Sequence, residues 1–317
     1  MFDHDSLGES SAVGVMGVIL IISSIIVLLQ MLHHKKHFVY APAQKRVLIL
    51  LMTPLVIGWS SWVCLLVGSK IAPIDSLISA DRALNIWAFM TYIEKMLGFA
   101  IEQDQAVFSE ERAAKLLMKQ EKASFCCCEK YHITTESKAR SYLRRIKFGA
   151  YQYIFVLLCV VIITIILAAT RYNSYSIEHG SNGVIWLTIA KSASMGLAIT
   201  YTLLFISFVK KIPEMKYLNL RSKFVVTQFA LQLTVIQPLI ITLFATEDLI
   251  ISTDIDSVDN ITSWTSNLLL CSEMIIFTFL QLMIYPVSDY NLELLAKSTG
   301  KVTEELQDRE NLVCESQ

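Results

Sequence analysis

The chain has 317 residues, of which 54% are hydrophobic and only 17% charged, with a formal net charge of −1 and a mean hydropathy of +0.51. Globular chains average about 45–50% apolar and about 25% charged residues. Disorder, a collagen-like chain and a disulfide scaffold are therefore excluded, and the length of the apolar blocks argues against a soluble enzyme.

A hydrocarbon core of ~30 Å needs about 20 helical residues at ~1.5 Å each. Taken in order, residues 13–32 form an uncharged block of this kind, and 47–68 form a second. Residues 83–101 are a weaker third candidate because they contain Glu94 and Lys95. Four more follow at 148–170, 184–209 (with Lys191), 224–246 (with Gln228, Gln232, Gln237 and Pro238) and 264–285 (with Glu273).

Charge distribution decides the third candidate. Residues 33–46 carry four Lys or Arg, the stretch between 101 and 148 carries ten, and 210–223 carries five. The segment 247–263 has none and holds five acidic residues. If 83–101 crosses, every basic segment falls on one side; if it does not, loops with ten and five basic residues fall on the outer side, against the positive-inside rule. The sequence thus predicts an all-α membrane protein, a seven-transmembrane-helix bundle with its N-terminus (1–12) outside and an acidic C-terminal tail (287–317) in the cytosol. All five tryptophans fall in the outer half of their spans, as an aromatic belt would. The sequon at Asn260 lies in a loop assigned outside, which makes it a glycosylation candidate. The first block has no basic residue ahead of it, so it reads as a span rather than a cleaved signal peptide.

Cys126, Cys127 and Cys128 lie in the long inner loop at 102–147. Three readings compete for them. Adjacent cysteines lack the spacing of a zinc site, and only His132 is close by, so metal is disfavoured. A reduced, unmodified cluster is the plain reading. S-acylation is preferred, because juxtamembrane cytosolic cysteines beside basic residues suit chains that enter membrane lipid. Cys159 and Cys271, inside spans, read as small packing residues.

Ionisable groups at membrane depth are candidates for solute contact, with structural ion pairing as the alternative. Glu94 and Lys191 lie on inward-running spans at depths that allow a pair, and Glu273 has no like-depth charge in its own helix. Gln228 and Gln232 share one face, followed by Gln237 and Pro238. Proline removes an N–H, which frees the Thr234 carbonyl four residues earlier. Helix–helix hydrogen bonding and solute contact both fit these glutamines. No nucleotide-binding loop, catalytic triad or zinc-protease motif is present, so no enzyme activity, cofactor or nucleic-acid partner is expected. Downhill transport and signal reception both suit such a bundle.

Several strings, in order, carry a resemblance. They are the three cysteines, then Gly149-Ala150-Tyr151-Gln152-Tyr153-Ile154-Phe155, Lys223-Phe224 with Gln228, Gln237-Pro238, and Leu268-Leu269-Leu270 with Glu273. Between about residues 45 and 285 the chain resembles the alpha subunit of the organic solute transporters. It departs from that pattern in a shorter cysteine cluster, in Ala150 where proline is usual, and in Lys191. The resemblance implies facilitated, bidirectional movement of amphipathic organic anions, such as steroid conjugates or bile-acid-like molecules, across the plasma membrane. It also implies a single-span beta subunit as partner and self-association as a homodimer. The alternatives are a seven-helix receptor, which the absence of receptor end-motifs disfavours, and a membrane-organising or trafficking protein of the same family that moves no solute.

Overall fold

The computed structural model describes residues 4–67, 72–102, 113–115, 122–125, 129–132, 135–169, 182–246 and 258–290. Seven long helices account for most of them: α1 (His4–Lys36), α2 (Ala41–Val67), α3 (Ala72–Glu102), α4 (Glu136–Ala169), α5 (Asn182–Val209), α6 (Leu220–Thr246) and α7 (Val258–Ile284). Each predicted span falls on one of these helices, to within a residue at its C-terminal end. Among the described helices, five (α1, α2, α4, α5 and α7) are long and apolar enough to cross a membrane. The other two, α3 and α6, are 31 and 27 residues long. One feature departs from the all-α expectation: β1 (Lys122–Phe125) pairs antiparallel with β2 (Glu129–His132) in the loop after α3. The three cysteines between those strands lie outside the described residues.

Helix starts differ most from the sequence reading. α1 begins at His4, within the segment expected to be an outer arm, and α3 begins at Ala72, eleven residues before the predicted start. Hydropathy windows stop at charges, whereas a helix continues through them if they face partners. Asn260, expected in a loop, belongs to the first turn of α7.

The chain divides into two compact units. Unit 1 comprises residues 1–36, 47–85 and 222–285, and unit 2 comprises 37–46, 86–221 and 286–317. In unit 1, α1 shows how such a helix is read. Leu20, Ser23, Val27, Gln30 and His34 are buried at alternating three- and four-residue spacing, which is one helical face. Val18, Ile22, Ile25, Leu29 and Leu32 are exposed on the opposite side. Apolar outside and partly polar inside is the pattern of a helix whose surroundings are lipid. Leu20 joins a core with Ile57 and Leu65 of α2, Ala230 and Leu231 of α6, and Leu270, Cys271, Met274 and Phe277 of α7. Gly58 makes the crossing possible, since a Cβ there would lie 2.5 Å from the Leu20 side chain. Cys271 is buried as expected, whereas Cys159 is exposed and has no packing role in the core.

Two interhelical contacts in unit 1 repair helix ends and breaks. Pro54 lies inside α2 and has no N–H, so the Leu50 carbonyl loses its helical donor. The Gln281 side chain of α7 donates to that carbonyl at 3.1 Å. Just past the end of α7 the Tyr285 carbonyl has no helical donor either, while the Gln281 carbonyl accepts from the Tyr285 backbone N–H at 3.0 Å. His34 Nε2 of α1 donates to the Tyr285 carbonyl at 3.0 Å, and Gln30 Nε2 approaches those of Gln281 and Tyr285 at 3.4 and 3.5 Å. The Tyr285 hydroxyl bonds Thr227 of α6 at 3.2 Å, and Lys223 lies 5.5 Å from the centre of its ring.

In unit 2, Gln44 fixes the entry into α2. Its side-chain oxygen accepts from the backbone N–H groups of Val39 and Tyr40, both at 2.9 Å, and its amide donates to the His37 carbonyl at 2.9 Å. α4 and α5 pack closely along their length, with Gly149 seated against Tyr201.

The Leu50 contact yields a direct test. Gln281→Leu removes the donor and leaves a buried carbonyl without a partner, which costs about 1–3 kcal/mol. Adding Pro54→Ala restores an N–H to the helix, and thermal unfolding of the double variant in lipid nanodiscs is expected to recover most of that loss. Equal melting of the single and double variants would refute the assignment.

Candidate functional site

The interior of unit 1 carries polar contacts that draw on four helices, α2, α3, α6 and α7. α3 supplies Asp81, Arg82 and Asn85, which are 6%, 6% and 0% exposed. Arg82 lies ten residues into α3, so roughly 15 Å along its axis. Asp81 and Asn85 are one turn apart, and the Asn85 amide donates to the Asp81 backbone carbonyl at 2.9 Å. Thr53 of α2 donates to the Asn85 side-chain oxygen at 2.7 Å. On the other side, the Arg82 guanidinium donates to the Thr234 hydroxyl of α6. Thr234 spends its own proton on the Leu231 carbonyl at 2.7 Å, which leaves its lone pairs for the arginine. One turn further along α6, Gln237 donates to the Glu273 carboxylate of α7 at 2.5 Å.

These contacts involve one guanidinium and two carboxyl groups, and the two α6 residues among them, Thr234 and Gln237, lie within about a turn of Pro238, which has no N–H to donate. The helix continues through Pro238 to Thr246, but the Thr234 carbonyl has no helical donor there. Several polar atoms of these residues have no hydrogen-bond partner: Asp81 Oδ2, Gln237 Oε1, Glu273 Oε2 and, nearby in sequence on α6, Gln228 Nε2. Buried polar atoms of this kind cost free energy unless something satisfies them. Together they offer a cation, amide donors and carboxylate acceptors to a polar group arriving from outside the protein.

Of the residues expected from the sequence, Gln237 and Glu273 come together, Gln228 is buried in the same unit, and Gln232 is half-buried one turn beyond it. Glu94 and Lys191 belong to unit 2. Glu94 has Lys147 of α4 at 3.3 Å as its ion-pair partner, with side chains 16% and 20% exposed. Lys147 precedes the apolar part of α4 and was read as a loop residue, because α4 starts at Glu136, well before its hydrophobic run. Lys191 is half-buried on α5. Asn260 belongs to α7, with the placement given above, and Cys126, Cys127 and Cys128 lie outside the described residues. Among the described residues no group of three metal-ligating side chains occurs.

Asp81, Arg82, Asn85, Thr53 and Thr234 were not singled out in the sequence. Arg82 stands one residue ahead of the span expected at 83–101. A signal was present in the i, i+4 spacing of Asp81 and Asn85, which continues the helical face of α3 upstream through both charges.

Buried polar contacts between apolar, lipid-compatible helices define a polytopic α-helical membrane protein with a polar interior. Residues 12–290 match the family model described as organic solute transporter Ostalpha, and the chain belongs to that family. No curated protein and no solved structure matches it.

The Glu94–Lys147 contact can be measured as a coupling. Glu94→Gln and Lys147→Met are each expected to destabilise the protein, while the double variant loses less than their sum by about 1–3 kcal/mol. Thermal unfolding of all four proteins in nanodiscs provides the cycle, and strict additivity would show that the pair contributes nothing.

Proposed function

We propose that this protein is a transporter subunit that moves amphipathic organic anions, such as steroid conjugates or bile-acid-like molecules, down their gradient in either direction. The observation that carries this reading is Arg82, held in the interior of unit 1 by Thr234 beside the Gln237–Glu273 pair. A planar guanidinium recognises sulfate and carboxylate in a forked geometry that lysine cannot match. The carboxyl groups of Asp81 and Glu273 balance its charge between solutes. An anionic head displaces those internal contacts, while the ring system of the solute needs only apolar surface. No energy-coupling motif accompanies the site, which suits downhill exchange.

In this reading all seven helices span the plasma membrane, with the amino terminus outside and the carboxyl tail in the cytosol. S-acylation of Cys126, Cys127 and Cys128 ties the inner loop to the bilayer. A single-span beta subunit and a second copy of the chain are the expected partners. Gln228 and Gln232 contribute further polar contacts to the solute, and Glu94 serves as a structural ion-pair member.

Uptake of labelled steroid sulfate into vesicles tests the transport reading, with and without a candidate beta partner. Arg82→Gln is expected to reduce initial uptake at least about tenfold with surface expression unchanged, and Arg82→Lys to recover only part of it. Glu273→Gln is expected to raise the solute concentration for half-maximal uptake or slow its release. An absence of flux in verified, surface-expressed protein under both conditions removes the reading.

Orientation is tested separately. An epitope tag after Gln317 is expected to be reached by antibody only after permeabilisation, and labelling of intact cells would reverse the topology.

A further inference from the structure

Within unit 2, α4 and α5 enclose an open groove of about 380 Å³, whose walls include Arg144, Arg145, Phe148 and Gln152 of α4 with Leu197 and Tyr201 of α5. Its chemistry is divided along its length. At one end stand two adjacent arginines, both exposed. Beyond them Phe148 is 72% exposed and Leu197 50%, and the same surface of α4 continues through Phe155 (66%) and Leu158 (58%). The charged end lies next to a second, more polar cavity of about 500 Å³ that shares Ser141 and Arg144 and includes Arg140, which is bonded to Glu136.

The groove owes its depth to Gly149. A Cβ at that position would lie 2.2 Å from the Tyr201 ring, so only glycine lets the ring lie flat against α4. Gln152 reaches the Ser194 carbonyl across the same seam at 3.5 Å. The walls are thus set by helix–helix packing rather than by a loop.

Two arginines at one end of an exposed apolar track match the layout of an acidic glycerophospholipid. The phosphodiester meets the guanidinium forks, and an acyl chain lies along Phe148, Leu197 and Phe155. Basic clusters where a helix enters the hydrocarbon are suited to such head groups. We propose that this groove binds one acidic membrane phospholipid, held through Arg144 and Arg145 and seated against Tyr201. The site shares no residue with the Arg82 contacts and does not depend on which membrane face the groove occupies.

The full-length protein in nanodiscs of phosphatidylcholine, doped with phosphatidylserine that carries a photoreactive acyl chain, provides the test, with crosslinked peptides mapped by mass spectrometry. Labelling is expected on α4 and α5 near residues 148–155 and 197–201. Arg144→Gln/Arg145→Gln is expected to lower that labelling about thirtyfold at low salt. Leu197→Trp, which fills the groove and keeps both charges, is expected to lower it as well. Labelling of either variant at the level of the unsubstituted protein would overturn the proposal, as would equal labelling of the unsubstituted protein by a photoreactive phosphatidylcholine. Displacement by millimolar inorganic phosphate would show a simple anion site, and displacement by steroid sulfate would show a solute site. Either result would replace the lipid reading and leave the uptake experiments on Arg82 unaffected.

Discussion

Hydrocarbon supplies no hydrogen bonds, so every polar group that a helix carries into a membrane must find its partner inside the protein. The bond from Gln281 to the Leu50 carbonyl shows the consequence most directly. Pro54 breaks the internal hydrogen bonding of α2, and a side chain from α7 takes the place of the missing donor. The break and its repair join two helices that are far apart in sequence. The same logic places His34 on the end of α7 and Arg82 beside the Pro238 break in α6. Proline positions and helix ends therefore act as docking points, and the polar side chains that meet them fix which helices are neighbours in unit 1.

Apolar packing alone would not achieve this selectivity. Association of helices in lipid has little hydrophobic driving force, so shape and hydrogen bonding must supply the preference. Gly58 contributes shape by admitting the Leu20 side chain, and Cys271 fits as a small residue whose thiol faces the Gly58 carbonyl at 3.6 Å. The indoles of Trp59 and Trp62 each spend their N–H on α1, on Ser24 Oγ and the Val13 carbonyl, both at 3.0 Å. A buried group held by one weak internal partner keeps hydrogen-bonding capacity that a group in an ion pair has already used. The contrast between Glu94 and Glu273 follows from that. Glu94 is paired with a full positive charge, whereas Glu273 is held by a neutral amide and keeps an oxygen without a partner.

The amino-acid sequence determined the helices. Runs of about 20 apolar residues and the one-sided placement of Lys and Arg were enough to mark all seven helices, because hydropathy is a property of composition and needs no partner. It also marked Gln237, Glu273 and Gln228 as polar groups at membrane depth. Only the tertiary structure decided what they meet. Arg82 and Asp81 were hidden just ahead of a predicted span, since hydropathy counts a charge as a boundary whether or not a neighbouring helix will satisfy it. Glu94 meets Lys147, a partner that depth alone could not name, because depth restricts one coordinate and helix adjacency sets the other two. Some of the interior polar contacts join residues more than a hundred positions apart, such as Arg82 with Thr234, and no local pattern in a chain encodes which of its helices will touch.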